Sequence, residues 1–169
     1  MAQKPLQLVN GITTQVEASI TSVGAADSGK VVALDASGKI DSTMMPTGVA
    51  ADVKSIIASE AIGAYKYVNI YNNAGVANIR LADNSNNRPA HGYVKAAVAA
   101  SASGVVFFES ANDGLSALTP GSRYYLATVG GVTLTPPTFA GGAQILQFLG
   151  IAISATEINT DIEEPITLA

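Results

Sequence analysis

The chain contains no cysteine. Disulfides and thiolate metal sites are therefore excluded. Charge is scarce as well: 13% of the 169 residues are charged, where a freely soluble monomer carries about a quarter. So little charge points to surface that something else covers, most simply further copies of the same chain. The nine Lys and Arg residues are scattered, and the net charge is −4 with a pI of about 4.8. A nucleic-acid backbone needs clustered cations, so nucleic acid is not an expected partner. No apolar run approaches the roughly eighteen residues of a membrane span, so no membrane partner is expected. The opening Met1-Ala2-Gln3-Lys4-Pro5-Leu6-Gln7 lacks the apolar core of a signal peptide, and synthesis in a cytoplasm is the expectation.

Large rings are missing from the first sixty-four residues; all ten aromatics fall between Tyr65 and Phe148. Rings dominate core burial. A segment of Ala, Ser, Thr, Gly and Val does little to offset its own ordering entropy. Although 48% of the residues are hydrophobic, much of that is Ala. We therefore divide the chain into an extended N-terminal arm, residues 1–50, and a β-rich body, residues 51–169. The arm is expected to be ordered by docking on its own body, on a neighbouring copy or on a larger partner.

Chemistry is also sparse. The one histidine, His91, lies in Pro89-Ala90-His91-Gly92-Tyr93. No activated nucleophile motif accompanies it, so a side chain bonded to a backbone carbonyl is the expectation. Glu157, Asp161, Glu163 and Glu164 cluster near the C-terminus. They read as a solvated edge that discourages strand-to-strand aggregation, not as a hydrolase pair. Asp83, Asn84 and Asn86 lack the spacing and closing Glu of a calcium loop. Gly141-Gly142-Ala143 is not followed by Lys-Ser or Lys-Thr, so no phosphate cradle is present. No catalytic residue, cofactor or metal is assigned, and the chain is not read as an enzyme. Tyr67 and Tyr71 share a face of one strand, where rings more often serve a core or a subunit contact than a stacking platform.

The pattern of the body is all-β. Tyr124–Val129 and Val132–Thr135 flank Gly130-Gly131, a two-residue hairpin turn. Thr119-Pro120-Gly121 precedes them as a turn, and Pro136-Pro137 ends the second strand. Ile145–Ile153 is apolar on both faces apart from Gln147 and reads as a central covered strand. Ile158, Thr160 and Ile162 alternate with Glu157, Asn159 and Asp161, a strand with one wet face. Upstream, Tyr67–Tyr71 and Val76–Ala82 form a hairpin through Asn72-Asn73-Ala74-Gly75. Val53–Ala58 reads as a strand or helical turn, Ser59–Ala64 as a helical turn, and Asp83–Pro89 as an exposed loop. Tyr93–Val98 and Val105–Glu109 are further strands, and Ala111–Gly114 a loop. About eight short strands result, which suits a small barrel or sandwich. In the arm, residues 8–20 support alternation and a weak helical period equally. Asp27-Ser28-Gly29 is a turn, Val31–Leu34 a short strand, and Asp35-Ala36-Ser37-Gly38-Lys39 a turn with an Asx-type start.

The run Gly29-Lys30-Val31-Val32-Ala33-Leu34-Asp35-Ala36-Ser37-Gly38-Lys39-Ile40-Asp41, followed by Met44-Met45-Pro46, resembles a segment of tailed-bacteriophage virion proteins. That segment occurs in tail fibres and in head-decoration (cement) proteins. Thr47–Asp52, Ala90-His91-Gly92-Tyr93-Val94, the stretch 118–126 and the stretch 149–158 extend the resemblance to the decoration type over nearly the whole chain. It implies a structural protein on the outer capsid surface of a virion, made in the host cytoplasm. Its partners would be the major capsid protein and copies of itself, most simply a homotrimer that clamps neighbouring capsomers. Capsid contact is then expected from Leu6, Leu8, Val9, Ile12, Val31, Val32, Leu34, Ile40, Met44 and Met45. Met44 and Met45 would anchor in a shallow apolar pocket, since Met adapts to irregular surfaces. The alternative is a tail-fibre or spike component that contacts the host surface; the absence of an internal repeat for a shaft disfavours it.

Overall fold

The structure is a computed structural model, and it describes residues 4–45, 52–138, 141–142 and 144–168. The chain divides into two compact units, Met1–Ala50 and Ala51–Ala169. Among the described residues there is no α-helix, and the fold is all-β.

In the first unit β1 (Leu6–Val9) and β2 (Ile12–Gln15) form an antiparallel hairpin. Its turn is Asn10-Gly11, with φ of 50° and 79°. Positive φ at both central positions is what a type I′ turn requires, and Asn and Gly adopt it most readily. This dipeptide settles the choice that the ambiguous periodicity of 8–20 leaves open. Val31–Leu34 forms no strand; its one pairing is a parallel bridge between Ser19 and Val32. The Asx turn at Asp35 is present, its Oδ1 accepting from the Ser37 and Lys39 amides at 2.8 and 2.9 Å.

The second unit opens with β3 (Val53–Ala58), β4 (Tyr67–Asn73), β5 (Val76–Leu81), β6 (Gly92–Val94) and β7 (Ser103–Phe107). These close into a barrel in the order β3-β5-β4-β6-β7. Closure comes from a parallel β3–β5 pairing and an antiparallel β3–β7 pairing. Ile56, Ala58, Ile62, Val68, Ile79, Val94, Val98 and Val106 fill the interior. Strand alternation supplies them: on β3, Ile56 and Ala58 point in, while Val53, Ser55 and Ile57 stay exposed. A Cβ on Gly92 would stand 2.6 Å from the Phe107 carbonyl oxygen, so only glycine lets these strands approach. Ser59–Ala64 forms no helical turn; within it Ile62 makes an antiparallel bridge to Val98. Strand β6 is shorter than the expected Tyr93–Val98 because Val98 leaves it to make that bridge.

Next come β8 (Ala111–Asn112), β9 (Arg123–Leu126), β10 (Val132–Thr133), β11 (Ile145–Leu146), β12 (Phe148–Ala152), β13 (Ile158–Thr160) and β14 (Ile166–Thr167). The second sheet has the order β10-β9-β12-β13-β8. Its four main strands are those read from the sequence, with β8 added where a loop was expected. Among the described residues twelve strands thus make up a body expected to hold about eight. The expected strand over 145–153 is two strands: β11 pairs with β14, and β12 lies between β9 and β13. The register shifts between Phe148 and Gly150. A Cβ on Gly150 would overlap the Asn159 carbonyl oxygen, and its φ is 147°. The β9–β10 turn is centred on Val129-Gly130, φ 54° and 62°, one residue earlier than expected. Gly130 is tied there by its amide to Ala82 O at 2.6 Å and by its carbonyl to the Tyr67 amide at 3.0 Å. Long-range bonds thus shift a turn that local sequence alone would centre on the Gly pair.

A second apolar cluster, Tyr67, Ala82, Ala90, Tyr93, Leu126, Ile145 and Leu149, joins the barrel to this sheet. A third, Leu118, Tyr124, Ala152 and Ile158, lies on the sheet itself.

Candidate docking surface

The residues assigned to capsid contact all lie in the first unit. Among its described residues none is buried. Leu6, Leu8 and Ile12 on the hairpin are 73%, 70% and 68% exposed. Val31, Val32, Leu34, Ile40 and Met45 are exposed too, and Met44 is half-buried. The pairing register fixes the hairpin faces. Leu6 lies opposite Gln15 and Leu8 opposite Thr13, so Leu6 and Leu8 share one face. Ile12 pairs with Val9 on the other strand and belongs to the opposite face. Between Leu6 and Gln15 there is no charged residue.

The structure gathers three of the predicted residues elsewhere in this unit. Val31, Val32 and Met44 line a shallow pocket of about 150 Å³ with Ser19, Ser22, Asp27 and Lys30. Lys30 Nζ donates to Asp27 Oδ1 at 2.6 Å. This bond, with the Val23 amide, holds the Asp27 carboxyl below its ordinary pKa. The Thr43 hydroxyl and amide do the same for Asp41. These bonds shape the turns of a unit without a core. The Met44-Met45-Pro46 exit is only partly visible, since Pro46 and residues 47–51 lie outside the described residues.

In the second unit a cleft of about 680 Å³ is lined by Pro89–His91, Phe108–Ser110, Gln147 and residues 160–165. Asp161, Glu163 and Glu164 face it together with Glu109, which the sequence did not single out. Among the described residues no three acidic or histidine side chains are close enough to hold a metal ion. His91 accepts a hydrogen bond at Nδ1 from the Ile70 amide, 2.9 Å, and makes no bond to a carbonyl as expected from sequence. Asp83 is likewise engaged by its own loop, Oδ1 accepting from the Ser85 amide and hydroxyl at 2.9 and 2.7 Å.

Gln147 is the polar residue whose role the sequence hid. It is buried, accepts from the Ala90 amide at 2.7 Å and donates to the carbonyls of Ala90 and Glu163 at 3.0 and 2.9 Å. The one signal was a lone amide in an apolar run. Tyr67 is fully buried and belongs to the core, its ring 5.9 Å from that of Tyr93. Burial pushes its phenol up to about 12. Tyr71 lies beneath the Arg80 guanidinium, 4.3 Å from the ring centre. No shared stacking platform exists for these two rings.

No family model matches the sequence, and no curated protein matches it. Among solved structures, the N-terminal base of head fibre gp8.5 in bacteriophage phi29 is similar, with a TM-score of 0.42 and 11% identity. The match covers 69% of this chain and 92% of that one. A likeness this distant carries no weight for the function of this chain.

Proposed function

We infer that this chain is a structural virion protein that attaches to the outer surface of a tailed-phage capsid and clamps neighbouring capsomers. The resemblance of residues 29–46 to virion proteins suggests the class of partner. The observation that carries the mechanism is the exposure of residues 4–45: ten of the nineteen exposed large hydrophobics among the described residues lie there, and none of the described residues there is buried.

Each such side chain gains about 1.5–3 kcal/mol on full burial. Covering half of the ten returns on the order of 10 kcal/mol, comparable with the roughly 4–15 kcal/mol that association costs. One docked segment is therefore only modestly stable, and several tethered through an oligomer of bodies add up. Low charge favours that oligomer, most simply a trimer on a local three-fold position. The two-faced hairpin favours a gap over a flat surface: Leu6 and Leu8 need cover on one side and Ile12 on the other. A seat between two capsid subunits supplies both, and the free edges of β1 and β2 can extend a partner sheet. The major capsid protein is the partner, and no catalytic step is involved.

Co-sedimentation tests this reading. The full chain and a version without residues 1–46 are mixed with phage heads lacking the protein, and separately with intact host cells. The full chain should bind heads saturably at a fixed number per capsomer, and the shortened chain should not bind, while its body melts as before. Equal binding by both versions refutes the role of the first unit. Binding to cells and not to heads supports the host-contact alternative instead.

A further inference from the structure

Strand β4 pairs with β6 only at Tyr67–Tyr93 and Val68–Gly92. Beyond Val68 the ladder has no partner strand, and the segment before β6 takes over with other groups. The His91 amide donates to Val68 O at 2.8 Å. The Asn69 side-chain amide donates to Pro89 O at 2.8 Å. The Ile70 amide, next in line on that edge, donates to the imidazole Nδ1 of His91. An aromatic nitrogen thus stands where a strand carbonyl would be.

We propose that His91 is a proton-operated latch on this seam of the barrel: neutral, it holds the Ile70 amide; protonated, it releases β4 at Ile70 and turns toward the acidic cleft. The chemistry follows from the acceptor. Nδ1 can take the Ile70 proton only while its lone pair is free, and the imidazolium presents N–H at both nitrogens. Protonation sets donor against donor and leaves the Ile70 amide without its partner. The cleft supplies an alternative for the cation. Glu109 beyond β7 and Asp161, Glu163 and Glu164 beyond β13 line it beside His91. A cation, Arg80 of β5, is tied to the same seam, its Nε donating to Asn69 Oδ1 at 2.9 Å. His91 is exposed at its outer edge, and partial desolvation against the cleft wall holds the imidazole below its ordinary 6.5, against the pull of the Glu164 carboxylate, so the latch is closed at neutral pH. Gln147 keeps the floor fixed as the latch moves, because it grips Ala90 and the 163 carbonyl at once.

With a single histidine in the chain, its titration is read without ambiguity by NMR, alongside hydrogen exchange of the Ile70 amide. Protection of that amide, corrected for intrinsic exchange, should fall about tenfold as pH drops through the His91 midpoint. His91→Asn, which offers an oxygen near the place of Nδ1 and does not titrate, should keep protection constant. Glu164→Gln should move the midpoint to lower pH. Constant Ile70 protection across the midpoint in the unaltered protein overturns the latch, as does acid loosening that survives in His91→Asn.

Discussion

Residues 51–169 and residues 1–50 both use tight β-hairpins, yet the first buries three apolar clusters and the second, among its described residues, buries nothing. Turn chemistry is not the difference: Ala74-Gly75 and Asn10-Gly11 both supply positive φ at paired central positions. What differs is what the strands present to one another. In the larger unit Tyr67, Tyr93 and Leu149 span the space between barrel and sheet. In the smaller one Leu6 and Leu8 extend exposed from a two-stranded ribbon, and none of the unit's described residues is buried against it. A lone hairpin is marginal in water, so a turn can specify local geometry without specifying a core.

The contrast is sharpest at Gln147. Replacing it by Leu strips the buried Ala90 amide and carbonyl of their partners, at about 1–3 kcal/mol each. Urea denaturation of Gln147→Leu should show a loss of about 2–6 kcal/mol in the body. Next in size is Ile79→Ala in the barrel interior, where a loss of about 2–5 kcal/mol is expected by the same measurement. A loss below about 1 kcal/mol at this position would show that the barrel interior is as loosely filled as the smaller unit.

Tyr67 gives the third test, through pH. Its phenol titrates near 12 in the folded chain against an ordinary 10. The unfolded chain therefore loses its proton first, and stability is fully present below pH 10. It should fall by about 2–3 kcal/mol as pH rises through 12. Tyr67→Phe should remove that alkaline slope, read from denaturation curves at several pH values, at the expense of the 3.4 Å contact with Thr160.

The smallest effect belongs to the other side of the comparison. Leu8→Ser should change the body's melting by less than about 0.5 kcal/mol, while head binding in the co-sedimentation assay weakens. A large drop in melting would mean that Leu8 already serves a core.

Much of the larger unit was legible because its signals are local. The hairpin at Asn72–Gly75 and the strands β9, β10, β12 and β13 follow from turn residues and from the pattern of apolar positions. The split at Gln147 was not legible, because an apolar run has the same period whether it pairs with one neighbour or changes partners midway. Exposure of the smaller unit was foreshadowed by its lack of rings. The gathering of Val31, Val32 and Met44 around one pocket depends on the Ser19–Val32 bridge, which no periodicity announces.

The sequence by itself determined an all-β chain with tight glycine turns and a first third without aromatic side chains. Those properties reside in residue type and near neighbours, and φ preferences and side-chain volume act over a few residues. Tertiary structure alone decided the barrel closure through the parallel β3–β5 pair, the placing of Val129 at the turn, and the meeting of His91 with Ile70. Each joins segments twenty or more residues apart, where the entropy of bringing distant chain together is recovered only by the contacts of the finished fold.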